Sequence, residues 1–343
     1  MKALVKTERG PGFTLKEMKV PVPGSGEVLL SVKVMSICGT DVHIYGWDEW
    51  SASRIKPPRI IGHEFVGEVI ELGEGVRRLK KGDLVTAETH IADNTCRLCR
   101  TGNSHICENV EILGVDRDGS YAEFVVIPEE NAWKLTSDIP MKVASVMEPL
   151  GNAVHTALAG EVTGMSAIVT GCGPIGLFSV GVLKASGAKL VIATDVQDYR
   201  LRIAEAMGAD IIINALENDV VETARKKLGG KWVDIHLEMS GNERAIHQGL
   251  ELLRPGGRAS FLGIPSGKID FDLATELIFK GITLQGINGR LMFKTWFQTQ
   301  NLLDSGQLDI TPVLTHELRF EEFDKGMELI ATGEVGKITL YHS

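Results

Sequence analysis

The sequence predicts an α/β protein of two parts, a β-rich domain followed by a doubly wound parallel sheet. Three observations carry that expectation. Up to about residue 150 the chain is a series of short alternating or β-branched runs separated by glycine, as at 27–34, 65–70 and 121–126. From about residue 165, six strand-like runs alternate with helical stretches, at 166–170, 189–194, 210–213, 232–238, 257–263 and 282–287. At the first strand-to-helix junction stands the glycine-rich Gly171-Cys172-Gly173-Pro174-Ile175-Gly176.

A chain of 343 residues is too long for one simple core, so two domains are expected. Hydrophobic residues make up 43% and charged residues 24%, the balance of a soluble globular protein. The net charge of −9 argues against a polyanionic partner, and no basic stripe suits nucleic acid. The start, Met1-Lys2-Ala3-Leu4-Val5-Lys6-Thr7-Glu8, has no apolar core of signal-peptide length, so the cytoplasm is the expected compartment. Residues 162–183 carry no charge, yet the glycines and Pro174 in their middle favour a buried strand, a tight turn and a buried helix over a membrane span. A helical segment at 292–303 leads into a tail too short to be a domain, expected to pack on the first part. The expected boundaries are therefore 1–150 with 290–343, and 151–289.

The glycine motif gains its meaning from context, because it follows a strand and opens a helix. Gly171 makes the turn, Gly173 admits the pyrophosphate close to the backbone, and Gly176 lets helix and strand approach. Asp195 ends the next strand, where its carboxylate can accept both ribose hydroxyls and repel a 2′-phosphate. NAD is expected in preference to NADP, with Arg200 bordering the adenine ribose.

Five cysteines, Cys38, Cys96, Cys99, Cys107 and Cys172, are an odd number and three are closely spaced, so metal binding explains them better than disulfides. Cys38, His63 and Glu64 can give one zinc a thiolate, an imidazole and a carboxylate while leaving a position open. Each alone has a plainer reading, as a small buried hydrophobe or a core histidine. Glu64, however, sits with His63 between Ile60-Ile61 and Phe65-Val66, where an unpaired carboxylate is costly and a cation offsets it. Glu148 is another carboxylate in apolar company; it can take the fourth position or exchange there, making the site anionic and suited to a cationic substrate.

These residues carry a resemblance over the whole chain. The run Cys38-Gly39-Thr40-Asp41-Val42-His43-Ile44-Tyr45-Gly46-Trp47-Asp48-Glu49-Trp50, with Gly151-Asn152-Ala153-Val154-His155-Thr156, Glu238-Met239-Ser240-Gly241 and Gly286-Ile287-Asn288-Gly289-Arg290, resembles the medium-chain zinc-dependent alcohol dehydrogenases. The resemblance implies a GroES-like catalytic domain, a Rossmann domain and a homotetramer. It implies catalytic zinc on Cys38, His63 and Glu64, a proton relay through Thr40 and His43, assistance from Glu148, and a role for His90 in substrate choice. It extends the NAD contacts to Ile175, to Leu262, Gly263 and Ile264, and to Ile287 and Asn288. The family's second zinc lobe has four cysteines; here Asp93 stands where the first belongs, ahead of Cys96, Cys99 and Cys107. A structural zinc on one carboxylate and three thiolates is chemically possible.

Within this family the resemblance, most specific at 47–50, implies L-threonine as substrate, its secondary hydroxyl becoming the ketone of 2-amino-3-ketobutyrate. Glu148, Asp48 and Glu49 are the acidic candidates for its ammonium, and His90 for its carboxylate. Oxidation of a polyol or another secondary alcohol stays open, as does a non-catalytic NAD-binding protein, because fold does not determine function.

Overall fold

A computed structural model describes residues 1–342. It divides into two compact units. The first comprises Met1–Glu148, His316–Thr332 and the chain from Lys337; the second comprises Pro149–Thr315 with Gly333–Gly336.

The first unit is built on β1 (Lys2–Lys6), β2 (Thr14–Glu17), β3 (Glu27–Ser36), β4 (Arg59–Ile60), β5 (Phe65–Leu72), β6 (Leu84–Ala87), β7 (His90–Ile91), β8 (Glu111–Ile112), β9 (Phe124–Pro128) and β10 (Ala132–Lys134). A seven-stranded sheet runs β10-β6-β5-β3 and continues through the strands Lys337–Tyr341 and Leu314–Arg319, with β9 also paired to β3. Strand β3 is the hub because Val28, Leu30, Val32 and Met35 are buried along it, leaving little of it to face water. Four short helices decorate these sheets: α1 (Gly39–Gly46), α2 (Glu49–Arg54), α3 (Arg97–Arg100) and α4 (Met141–Ala144).

The second unit begins within α5 (Met147–Ala157) and alternates as the sequence predicts: β11 (Ser166–Thr170), α6 (Pro174–Ala185), β12 (Leu190–Asp195), α7 (Asp198–Ala206), β13 (Ile211–Asn214), α8 (Val220–Lys227), β14 (Val233–Glu238), α9 (Glu243–Leu252), β15 (Leu253–Phe261) and β16 (Thr283–Gly286). The six strands lie parallel in the order β13-β12-β11-β14-β15-β16, which is the doubly wound sheet. Ile168, Ile192, Ile213, Ile246 and Leu250 are among the residues that fill one face. The uncharged stretch 162–183 becomes β11, a turn and the buried body of α6. Among the described residues no helix is long and apolar enough to cross a membrane.

Residues 290–315, expected with the first domain, cluster with the second. After α10 (Lys294–Asp304) the chain buries Leu308, Ile310 and Val313. Leu308 fills the space over Gly181 of α6, where an added Cβ would stand 2.8 Å from Leu308 Cδ1. That apolar contact ties the segment to the parallel sheet. Only the chain from His316 onward contributes the tail expected on the first unit.

Candidate active site and metal centres

Cys38 is the N-cap of α1, and His63 and Glu64 follow the turn between β4 and β5. The turn needs glycine at 62: its φ is +92°, and a Cβ there would stand 2.4 Å from the Tyr121 ring. One donor atom from each of Cys38, His63 and Glu64 lies within 4.8 Å of the others, so the fold brings the three together across 25 residues of sequence. Glu148, in the first turn of α5, is not in that mutually close set. It accepts a hydrogen bond from Thr89 Oγ1 at 3.0 Å, and its charge acts on both His63 and Glu64.

The donor set fits a cation. Burial opposes charge on His63, yet Cys38, Asp41 and Glu148 together raise it to about 10, so the negative pocket draws in positive charge. His63 Nδ1 is buried without a hydrogen-bond partner among the described residues and faces Asp41 Oδ1, equally unpartnered, at 3.8 Å. With a carboxylate on the Nδ1 side, Nε2 is the nitrogen that would serve a metal, the usual arrangement for a zinc histidine. Asp41 is itself held by Cys38 N at 2.9 Å and by the Tyr121 hydroxyl at 2.5 Å. Glu64 is fully buried, with both oxygens 2.6 Å from Lys337 Nζ and a hydrogen bond from Ser36 Oγ. Burial pushes the Glu64 carboxyl up, with Lys337 pulling against it; burial also opposes charge on Lys337, but Glu64 and Cys38 outweigh it and keep that ammonium charged.

Thr40 and His43 lie three residues apart on α1 and so share a helix face. His43 Nδ1 donates to Asp48 Oδ2 at 2.7 Å. Asp48 is also the N-cap of α2, its Oδ1 accepting from Ser51 N and Ser51 Oγ at 2.8 Å each. Both Asp48 oxygens therefore have partners within this segment. Glu49 sits exposed in the first turn of α2. His90, on β7, donates from Nδ1 to the His105 carbonyl at 3.0 Å.

The odd lobe is compact. Donor atoms of Asp93, Cys96, Cys99 and Cys107 lie within 4.8 Å of one another. Cys96 Sγ is 3.5 Å from Cys99 Sγ and 3.9 Å from Cys107 Sγ, while Asp93 Oδ1 is 3.6 Å from Cys99 Sγ and 3.4 Å from Cys107 Sγ. Tetrahedral zinc would separate two sulfurs by about 3.8 Å and a sulfur from an oxygen by about 3.5 Å, so the four donors outline the required shape. Asn109 Nδ2 donates to Asp93 Oδ2 at 2.6 Å and is the main reason the carboxyl lies far below its ordinary range, so it stays ionised as a ligand must.

In the second unit, Gly171 takes φ +93°, and a Cβ there would stand 2.8 Å from Ser240. A Cβ on Gly176 would stand 2.0 Å from the Gly171 carbonyl oxygen, so helix α6 can begin against the turn only with glycine. Gly173 caps α6 and Ile175 lies in its first turn, which turns backbone N–H groups toward any phosphate above them. Asp195 ends β12 and accepts Cys172 N at 2.7 Å and Gln197 N at 2.9 Å, and the first of these bonds braces the glycine loop. Arg200 Nε is buried without a partner among the described residues, an orphaned donor that a nucleotide oxygen would satisfy. Leu262, Gly263 and Ile264 follow β15, and Ile287 and Asn288 follow β16; Ile264 is 90% exposed, an apolar surface that a cofactor would cover.

Sequence reading missed Asp41, Tyr121, Lys337 and Glu238. Glu238 is buried at the end of β14, and its Oε1 accepts Ser240 N, Ser240 Oγ and Gly241 N, fixing the turn that meets Gly171. A polar residue at the carboxyl end of a parallel strand was its available signal. Lys337 had none.

Residues 24–137 match the alcohol dehydrogenase GroES-like domain, and residues 174–305 match the zinc-binding dehydrogenase family. The chain belongs to the zinc-binding dehydrogenase family, with an alcohol dehydrogenase GroES-like domain. It is 50% identical to the L-threonine 3-dehydrogenase of Caldanaerobacter subterraneus subsp. tengcongensis, covering 99% of each chain. It is 47% identical to that of Pyrococcus horikoshii, over 98% of this chain and 97% of the other. A solved alcohol dehydrogenase from E. coli CFT073, complexed with NADH, superposes with a TM-score of 0.92 at 28% identity, covering 99% of each chain.

Proposed function

We propose that this protein oxidises the secondary hydroxyl of L-threonine to 2-amino-3-ketobutyrate, using NAD and zinc. The observation that carries the reading is the buried, mutually close Cys38, His63 and Glu64 set inside a chain half identical to L-threonine 3-dehydrogenases. Zinc on those three residues would supply Lewis-acid polarisation of the hydroxyl, and NAD would accept the hydride. Thr40 takes the hydroxyl proton and passes it to His43, which releases it to solvent. Asp41 holds the His63 ring, Lys337 and Ser36 hold Glu64, and Glu148 keeps the pocket negative. That charge favours the substrate ammonium, for which the exposed Glu49 is a further candidate, and His90 is the candidate for the substrate carboxylate. The first unit is the catalytic domain and the second the NAD domain, with Gly171, Gly173, Ile175, Gly176, Asp195, Arg200, 262–264, Ile287 and Asn288 around the cofactor.

Asp93, Cys96, Cys99 and Cys107 hold a second, structural zinc. The five free thiols suit a cytoplasmic protein. A homotetramer is supported by the exposed Ile278, Phe279 and Leu284, an apolar set on and just before the edge strand β16. The deciding experiment is the ratio of kcat/KM for L-threonine and for a polyol such as sorbitol at saturating NAD. A ratio well above one is expected; a ratio at or below one would move the protein to the polyol dehydrogenases.

A further inference from the structure

We propose that Asp48 is a positioning residue of the proton relay, fixing the tautomer and ring orientation of His43. The inference rests on the relay reading of Thr40 and His43 and extends it by one residue. A carboxylate can only accept, so the 2.7 Å contact between His43 Nδ1 and Asp48 Oδ2 requires the hydrogen on Nδ1. The neutral ring then keeps its lone pair on Nε2. That is the atom that must accept a proton arriving through Thr40, one helical turn earlier on the same face of α1. In the other tautomer Nε2 carries a hydrogen and the relay has no acceptor.

Stability does not explain the pair. The two side chains are 64% and 42% exposed, and ion pairs so open to water contribute little to folding. The surrounding construction instead secures the geometry. Trp47 ends α1 in the left-handed region, at φ 59° and ψ 53°, which turns the chain back so that residue 48 reaches residue 43. The Trp47 ring lies beneath Lys6 Nζ at 4.6 Å, and that buried ammonium donates to the carbonyls of Gly10 and Gly12. Asp48 Oδ1 is pinned by Ser51 N and Oγ, which leaves Oδ2 directed at the imidazole. The 47–50 segment is thereby a scaffold for the relay, whatever else it contributes to substrate choice.

The test compares the parent holoenzyme with Asp48→Asn, Asp48→Ser and His43→Ala. Asparagine and serine both keep an oxygen able to cap α2 but remove the carboxylate. In both Asp48 variants kcat for L-threonine should fall about tenfold or more, with KM within about threefold and an unchanged melting midpoint. In histidine-labelled protein, the His43 nitrogen-15 resonances should move away from the Nδ1–H pattern. His43→Ala should lose at least as much kcat. If both Asp48 variants keep kcat within twofold and the Nδ1–H pattern while His43→Ala loses turnover, the proposal is overturned and the relay stands. Parental kcat in His43→Ala would overturn the relay itself.

Discussion

Lys337, on the last strand of the chain, places its ammonium 2.6 Å from the carboxylate of Glu64, 273 residues earlier, with both side chains buried. The pair gives Glu64 a buried counter-charge in a pocket it shares with Cys38 and His63. Removing the lysine would leave a buried charge without compensation. Lys337→Met is therefore expected to destabilise the first unit by about 3–5 kcal/mol, measured by denaturant unfolding, and to weaken zinc retention against a chelator. An unchanged unfolding midpoint would mean that Glu64 is neutral in the fold and needs no counter-charge.

Asp195 accepts Cys172 N of the glycine loop and Gln197 N in its own turn, and in the proposed function it also accepts the ribose hydroxyls. Asp195→Asn keeps an acceptor for one backbone N–H while removing the negative charge. NAD should bind about ten- to a hundredfold more weakly, equivalent to about 1.4–3 kcal/mol, and the exclusion of NADP should relax. Calorimetric titration with both cofactors measures it. An unchanged preference between them would remove Asp195 as the discriminator.

Asp93→Ala removes the oxygen that stands 3.4–3.6 Å from two thiols. The purified parent should hold close to two zincs per chain and the variant close to one, by elemental analysis. Asp93→Cys should keep both, since a fourth thiolate suits the same tetrahedron. A parent holding one zinc, with no thiolate-to-metal absorption on cobalt substitution, would show that the lobe folds without metal.

His236 lies wholly buried on β14, its Nε2 2.9 Å from Thr170 Oγ1, and burial lowers its pKa to about 3. The unfolded chain takes up a proton on this ring below about pH 6.5 while the folded chain does not. Stability is therefore fully present above pH 6.5 and declines as pH falls toward 3. At pH 5 the loss should be about 2 kcal/mol from this group. In His236→Gln the fall in melting temperature between pH 7.5 and 5 should be smaller than in the parent; an equal fall would assign the acid sensitivity to the carboxylates instead.

Much of the fold was legible because it is written locally. The six parallel strands follow from β-branched runs at regular spacing, and each was located to within a few residues except the start of β15. That strand begins at Leu253, with Pro255, Gly256 and Gly257 inside it, residues that read as a turn. The placement of 290–315 was not legible: the helical pattern of α10 indicates which face is apolar, not which sheet it covers.

The candidate site divides along the same line. Residue types and spacings by themselves pointed to zinc chemistry and to a nucleotide motif, because thiolate, imidazole and carboxylate are zinc donors and glycine alone fits the turn. Only the tertiary structure decided what stands behind each of them. It set Asp41 and Tyr121 behind His63, Lys337 behind Glu64, Asn109 behind Asp93 and Asp48 behind His43. These supporting contacts, at 2.5–3.8 Å, join chain segments that are, in the case of Lys337, hundreds of residues apart. Periodicity and composition carry no trace of such distances; packing alone creates them.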